Sequence, residues 1–223
     1  MKSLSILSII LVFLLFTNCV DKTHKESSKV NTALKKINDS LIKINNSVGV
    51  LTLSDKYSEK DTIKIYNEDG TLWYKFSYFY DDSDGEYDYY NKDFSPLAFH
   101  PDYFLLALNV SKIEKNRYEV VVNKNTQLKK YINKEESFLE YENWKEHVLN
   151  VYAVDFDSEQ NPLRKKPNIK ATQISYISDN LYQPKRIEGN WLQVTWKEKR
   201  KTYFGWIIWK EDHKLLIELL YLN

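Results

Sequence analysis

A chain of 223 residues with 32 Lys and Arg against 31 Asp and Glu is electrostatically balanced, which removes the charge argument for a nucleic-acid partner. One cysteine excludes an internal disulfide, and among only five glycines there is no phosphate-cradling loop or dinucleotide fingerprint. Stability must therefore come from burial, for which 17 Tyr, 10 Phe and 6 Trp supply ample apolar area.

The chain opens with Lys2 and an uncharged apolar run over residues 4–16, which ends at Thr17-Asn18-Cys19. This is the shape of a signal peptide, and the run is shorter than the ~20 residues a helix needs to span hydrocarbon. Leu15-Phe16-Thr17-Asn18-Cys19 resembles the lipobox of bacterial lipoproteins, departing from it at Phe16 and at Asn18, where a small residue is usual. The resemblance implies removal of residues 1–18, acylation of Cys19 with a palmitate-type chain, and a membrane-anchored place in the cell envelope, facing the periplasm or the cell surface. Ordinary secretory cleavage and an uncleaved anchor are the alternatives.

Residues 20–28 are polar and aperiodic, as expected of a tether. Val30, Leu34, Ile37, Leu41, Ile44 and Val48 then recur at spacings of four and three, which predicts an amphipathic helix. Residues 19–50 are thus read as the lipidated tether and helix. A central β-rich module is expected over 51–150. Residues 62–66 and 72–76 flank Asn67-Glu68-Asp69-Gly70 as a hairpin, and 105–110 and 118–122 flank a polar turn as a second. Ser95-Pro96 and His100-Pro101 break the chain between them. Helical spacing of Phe138, Leu139, Tyr141, Trp144 and Val148 predicts a short helix over 137–149, and the module boundary is placed there. Beyond it, strands are expected at 151–154, 173–177, 190–196, 203–209 and 214–221, with a loop over 161–168 and a Lys-rich turn over 197–201. The fold class is accordingly mainly β.

In this last part Asn161-Pro162-Leu163-Arg164, Gly189-Asn190-Trp191-Leu192-Gln193-Val194 and Gly205-Trp206-Ile207 follow in an order that resembles the signatures of bacterial SH3-like domains. The similarity spans about 60 residues, departing from the pattern at Pro162 and Leu163 and in the glycine-free turn. It implies a small barrel over 151–223 that binds cell-wall material or a protein partner and carries no catalytic residues. Strand alternation sets Leu192, Val194 and Trp196 on one face and leaves Trp191 and Trp206 on the other, so these two, with Arg164 of the loop that the resemblance implicates, are the candidate ligand-binding residues, packing as structural core aromatics being the leading alternative for the tryptophans.

Other constellations offer less. In the acidic loop over 81–88, aligning Gly85 with the glycine of a calcium loop puts Tyr80 and Asn91 at ligand positions, so a solvated turn is the better account. Asp155, Asp157 and Glu159 are read in the same way. His24, His100, His147 and His213 lack metal-site spacing, and no nucleophile motif is present, so neither metal, cofactor nor enzymatic activity is expected. The expected function is a lipid-tethered, non-catalytic binding module. A structural lipoprotein of an envelope complex is the alternative, and an envelope hydrolase ranks last.

Overall fold

The computed structural model describes residues 44, 46–58, 60–77 and 91–221. The leader, Cys19, the tether, the helix positions before Ile44 and the acidic loop at 81–88 lie outside the described residues. Ile44 and Val48, the last two positions of the expected helical stripe, are not helical. Asn46 adopts a left-handed φ of 58°, and Ile44 N and Val48 N donate to His213 O and Val110 O. Asn tolerates that conformation and is a weak helix former, so long-range pairing prevails over local periodicity here.

Gly49–Leu53 (β1), Ile63–Tyr66 (β2) and Leu72–Phe76 (β3) follow. The β2–β3 hairpin turns where expected, because Gly70 takes a φ of 86° and the Asp69 carboxylate accepts from Thr71 N and Oγ1. Ala98–His100 (β4) is a short strand caught between the two prolines that were expected to break the chain. Leu105–Ile113 (β5) and Arg117–Asn123 (β6) form the second expected hairpin, with Val110 opposite Val120. Leu128–Asn133 (β7) and Leu139–Asn143 (β8) complete an antiparallel sheet in the order β3-β2-β7-β6-β5-β1-β8, with β4 beside the first part of β5. Its core is aliphatic and phenylalanine-rich, centred on Leu51, Ile63, Ile65, Leu106, Val120 and Ile132.

The helix expected over 137–149 begins only at Trp144 and runs to Asn150 (α1). Residues before it are drawn into β8 by pairing along the whole of β1, and a capping box starts the helix: Asn143 Oδ1 accepts from Lys145 N and Glu146 N, and the Glu146 carboxylate accepts from Asn143 N. α1 packs against β1, β8 and a strand of the C-terminal part, Gln183–Glu188 (β10), which follows Ala153–Asp155 (β9). No helix among the described residues is long and apolar enough to cross a membrane.

Trp191–Glu198 (β11) and Lys201–Ile208 (β12) realise the two best-marked strands, and β10-β11-β12 form one antiparallel sheet. β10 itself carries no alternation signal; it is a bulged edge strand holding Pro184, a setting proline tolerates. The strand expected at 173–177 does not form: Gln173 makes a single bridge to Arg164 and Ile174 N donates to Leu163 O. The expected strand at 214–221 is divided. Lys210–Glu211 (β13) pairs with Lys214–Leu215 (β14), and Glu218–Leu220 (β15) pairs with β9, so that Leu215, Ile217 and Leu219 are buried against two different partners.

Candidate functional site

The β11–β12 hairpin separates two environments. Leu192, Val194 and Trp196 on β11, with Gly205 and Ile207 on β12, face inward and are buried. The opposite face carries Trp191, Gln193 and Thr195, paired with Ile208, Trp206 and Phe204. Strand alternation thus places Trp191 and Trp206 on one face, as the sequence predicts. Their exposure differs. Trp191 is half-buried, whereas Trp206 is only 4% exposed.

Two features seal Trp206. Its N donates to Arg164 O and its O accepts from Arg164 N, so the 161–168 loop continues the sheet past β12. The Arg186 guanidinium also lies 5.0 Å from the Trp206 ring centroid, while ion-paired to Glu188 at 3.2 Å. Arg164 is itself 8% exposed, and its guanidinium donates to Ala171 O at 3.1 Å. The structure therefore brings Arg164 and Trp206 together as interior groups and leaves the half-buried Trp191 and the exposed Phe204 toward the two ends of the face, with Arg186 on β10 opposite Gln193. Gly205 is required by this closeness, since a Cβ there would stand 2.5 Å from Leu163 Cδ1.

At the far end of the hairpin the chain reverses through Lys199 and Arg200, both at positive φ, 45° and 68°. Glu198 is folded back, accepting from Trp196 Nε1 at 2.8 Å and Asn180 Nδ2 at 3.1 Å. Tyr203 stacks on Trp196 at 5.8 Å on the inner face, and Phe204 stands 54% exposed on the outer one.

Compared with protein-family models, with curated proteins and with solved structures, the chain matches none.

A second constellation lies at α1. His147, only 2% exposed, has Nδ1 2.6 Å from Glu142 Oε2 and Nε2 2.9 Å from the Tyr221 hydroxyl. The hydrogen bond to His147 holds the Glu142 carboxyl below its ordinary range, with further help from Asn150 Nδ2. Burial pushes the Tyr221 phenol upward. With the Glu142 carboxylate accepting from Nδ1–H, His147 Nε2 and the Tyr221 hydroxyl complete the chain of hydrogen bonds. Tyr221 also lines a cleft of about 380 Å³ with Phe94, Phe99, His100 and Lys124. These hydrogen bonds clasp the segment just beyond β15 to α1. Nothing in the sequence marks it, because Tyr221 is 74 residues from His147.

Asp155 and Asp157 are spent locally: Asp155 Oδ1 accepts from Phe156 N and the Tyr176 hydroxyl, and Asp157 Oδ1 from Glu159 N and Gln160 N. The Tyr176 phenol is pushed up to about 12, by burial first and then by Asp155. Among the described residues no group of three His, Cys, Asp or Glu is placed to hold a metal ion.

Proposed function

We propose that the chain is an exported lipoprotein, anchored through an acyl chain on Cys19, whose C-terminal part is an SH3-like, non-catalytic module that binds cell-wall material or a protein of the envelope. The observation that carries the binding reading is the asymmetry of the β10-β11-β12 sheet. One face is buried through Leu192, Val194 and Trp196, while the other offers the half-buried Trp191 and, further along it, the exposed Arg186 opposite Gln193. An indole and a guanidinium on one face suit stacking with hydrogen bonding, the chemistry of sugar rings and extended peptides. Arg164 supports this face through the backbone pairing with Trp206 and does not contact the ligand.

The test is retention on purified peptidoglycan. Because Trp206 is buried, its truncation would damage the fold, so the informative variant is Trp191→Ala/Arg186→Ala. Retention that falls at least about tenfold in this variant, provided that it still unfolds cooperatively well above the assay temperature, supports the reading, a loss of the size expected for one stacked aromatic. Unchanged retention removes the face from the account. The anchor is tested separately by mass spectrometry of the native N-terminal peptide, where a mass increase of acyl size on Cys19 is expected.

A further inference from the structure

The overall charge balance conceals a division. Residues 51–150 hold 13 Lys and Arg against 19 Asp and Glu, whereas residues 161–215 hold 12 against 5. The excess of positive charge is concentrated at the β11–β12 tip, where Lys197, Lys199, Arg200 and Lys201 are all exposed within five positions. Among the described residues none of the four forms an ion pair. The one carboxylate between them, Glu198, is turned back to Trp196 and Asn180.

The backbone makes this arrangement more telling. Two-residue turns with both central φ angles positive favour Asn-Gly, because side chains with a Cβ are strained there. Here both positions carry long cations, so the turn is strained in a way that displays charge. Immediately behind it, Phe204 is 54% and Tyr203 40% exposed, one on each face of the hairpin. The result is a finger with a cationic tip and an aromatic on either side.

From these observations we infer that the β11–β12 tip is a docking finger for an anionic phospholipid surface. The cations meet headgroup phosphates, and Phe204 and Tyr203 enter the interfacial layer, where amphipathic and aromatic rings settle. The choice of a bilayer as occupant rests on the tethered reading. Residues 20–43, even fully extended, keep the described body within about 85 Å of the anchor. At such range a weak surface contact is strengthened by the high local concentration of lipid. Docking by the tip also turns Trp191, at the other end of β11 and about 23 Å away, toward what lies beyond the membrane.

The test uses the full chain carrying Cys19→Ser, so that no acyl group contributes, and vesicles of phosphatidylcholine alone or mixed equally with phosphatidylglycerol. Co-sedimentation is expected with the mixed vesicles and to weaken when salt rises from about 0.1 M to about 0.5 M, as a screened contact must. Each neutralised cation is worth about a fivefold loss at an anionic surface, so Lys197→Gln/Lys199→Gln/Arg200→Gln/Lys201→Gln should lower the partition by at least about thirtyfold. Lys199→Asn/Arg200→Gly guards against misfolding: it relaxes the turn and should unfold at a higher temperature, yet lose about tenfold or more in binding. The apolar leader adds the same partition to every variant on both kinds of vesicle, so binding is read as the excess on mixed over neutral vesicles. Unchanged binding by either variant, equal binding to neutral vesicles, or tighter binding to oligodeoxythymidylate than to the mixed vesicles overturns the inference. An unmodified Cys19 by mass spectrometry overturns the tether alone, because vesicle binding by the Cys19→Ser chain does not depend on it.

Discussion

The β1–β8 sheet and the β10-β11-β12 sheet are both antiparallel, but they place their strain and their charge differently. In the first, the hairpin turn is eased by Gly70 and the core is aliphatic and phenylalanine-rich. In the second, tryptophans join the interior and the β11–β12 turn holds two consecutive cations at positive φ. The first sheet carries its positive-φ side chains singly and without charge, at Phe104 before β5 and Gln127 before β7. The β11–β12 turn thus concentrates in one place, and under charged side chains, a backbone cost that the first sheet spreads.

The sharpest way to break this comparison is within the smaller sheet. Trp206 and Trp191 share a face but not an environment, so Trp206→Ala should cost about 3–5 kcal/mol and Trp191→Ala less than about 1.5 kcal/mol, by urea unfolding at neutral pH. Equal losses would mean that the face is uniformly core and offers no binding surface. A smaller effect is expected at the clasp. His147→Ala leaves the Glu142 carboxylate and the Tyr221 hydroxyl without their shared partner and should cost about 3 kcal/mol, against about 1–2 kcal/mol for Tyr221→Phe, which removes one hydroxyl and its hydrogen bond from the same network. If Tyr221→Phe proved neutral, the clasp between C-terminus and α1 would be ornamental.

What the sequence disclosed and what it hid divide along the same physical line. The hairpins around Gly70 and at β11–β12 were legible because alternation and turn residues are local, and Trp191 and Trp206 were placed on the correct face by a period of two. The burial of Trp206 was not legible, since Arg164 and Arg186 reach it from 42 and 20 positions away. Residues 139–143 have helical spacing yet form a strand, because β1 offers a paired edge that local pattern cannot foresee. The His147 clasp depends on a tyrosine just beyond the last strand, and the cationic tip was legible only as a Lys-rich turn until its backbone angles were known.

The turn supplies a gain in place of a loss. Lys199→Asn/Arg200→Gly should raise stability by about 1–2 kcal/mol, seen as a higher thermal midpoint, by placing residues that accept positive φ where two cations now resist it. The matching change in the first sheet, Gly70→Lys, should lower stability by about 1 kcal/mol or more, since Gly70 already has the easier conformation. If both substitutions moved stability in the same direction, the contrast between a relaxed and a strained turn would not hold.

The smallest effect is in the acid range. Glu142 has its carboxyl held below its ordinary value of 4.5 in the folded chain, first by the hydrogen bond to His147. A folded value lower than the unfolded one adds stability that is fully present above about pH 4.5 and drains away as pH falls through the folded value. Glu142→Gln, which keeps the shape and cannot ionise, should therefore be less stable than the parent by about 1 kcal/mol at pH 7, a modest figure because the carboxylate is partly open to solvent. That gap should begin to narrow below about pH 4.5 and close as the pH falls through the folded value, where Glu142 is protonated in both states and carries no charge toward His147. A gap that does not narrow at all below about pH 4.5 would show that the loss does not come from the carboxylate's charge, and the acid sensitivity of the body would then have to originate away from α1.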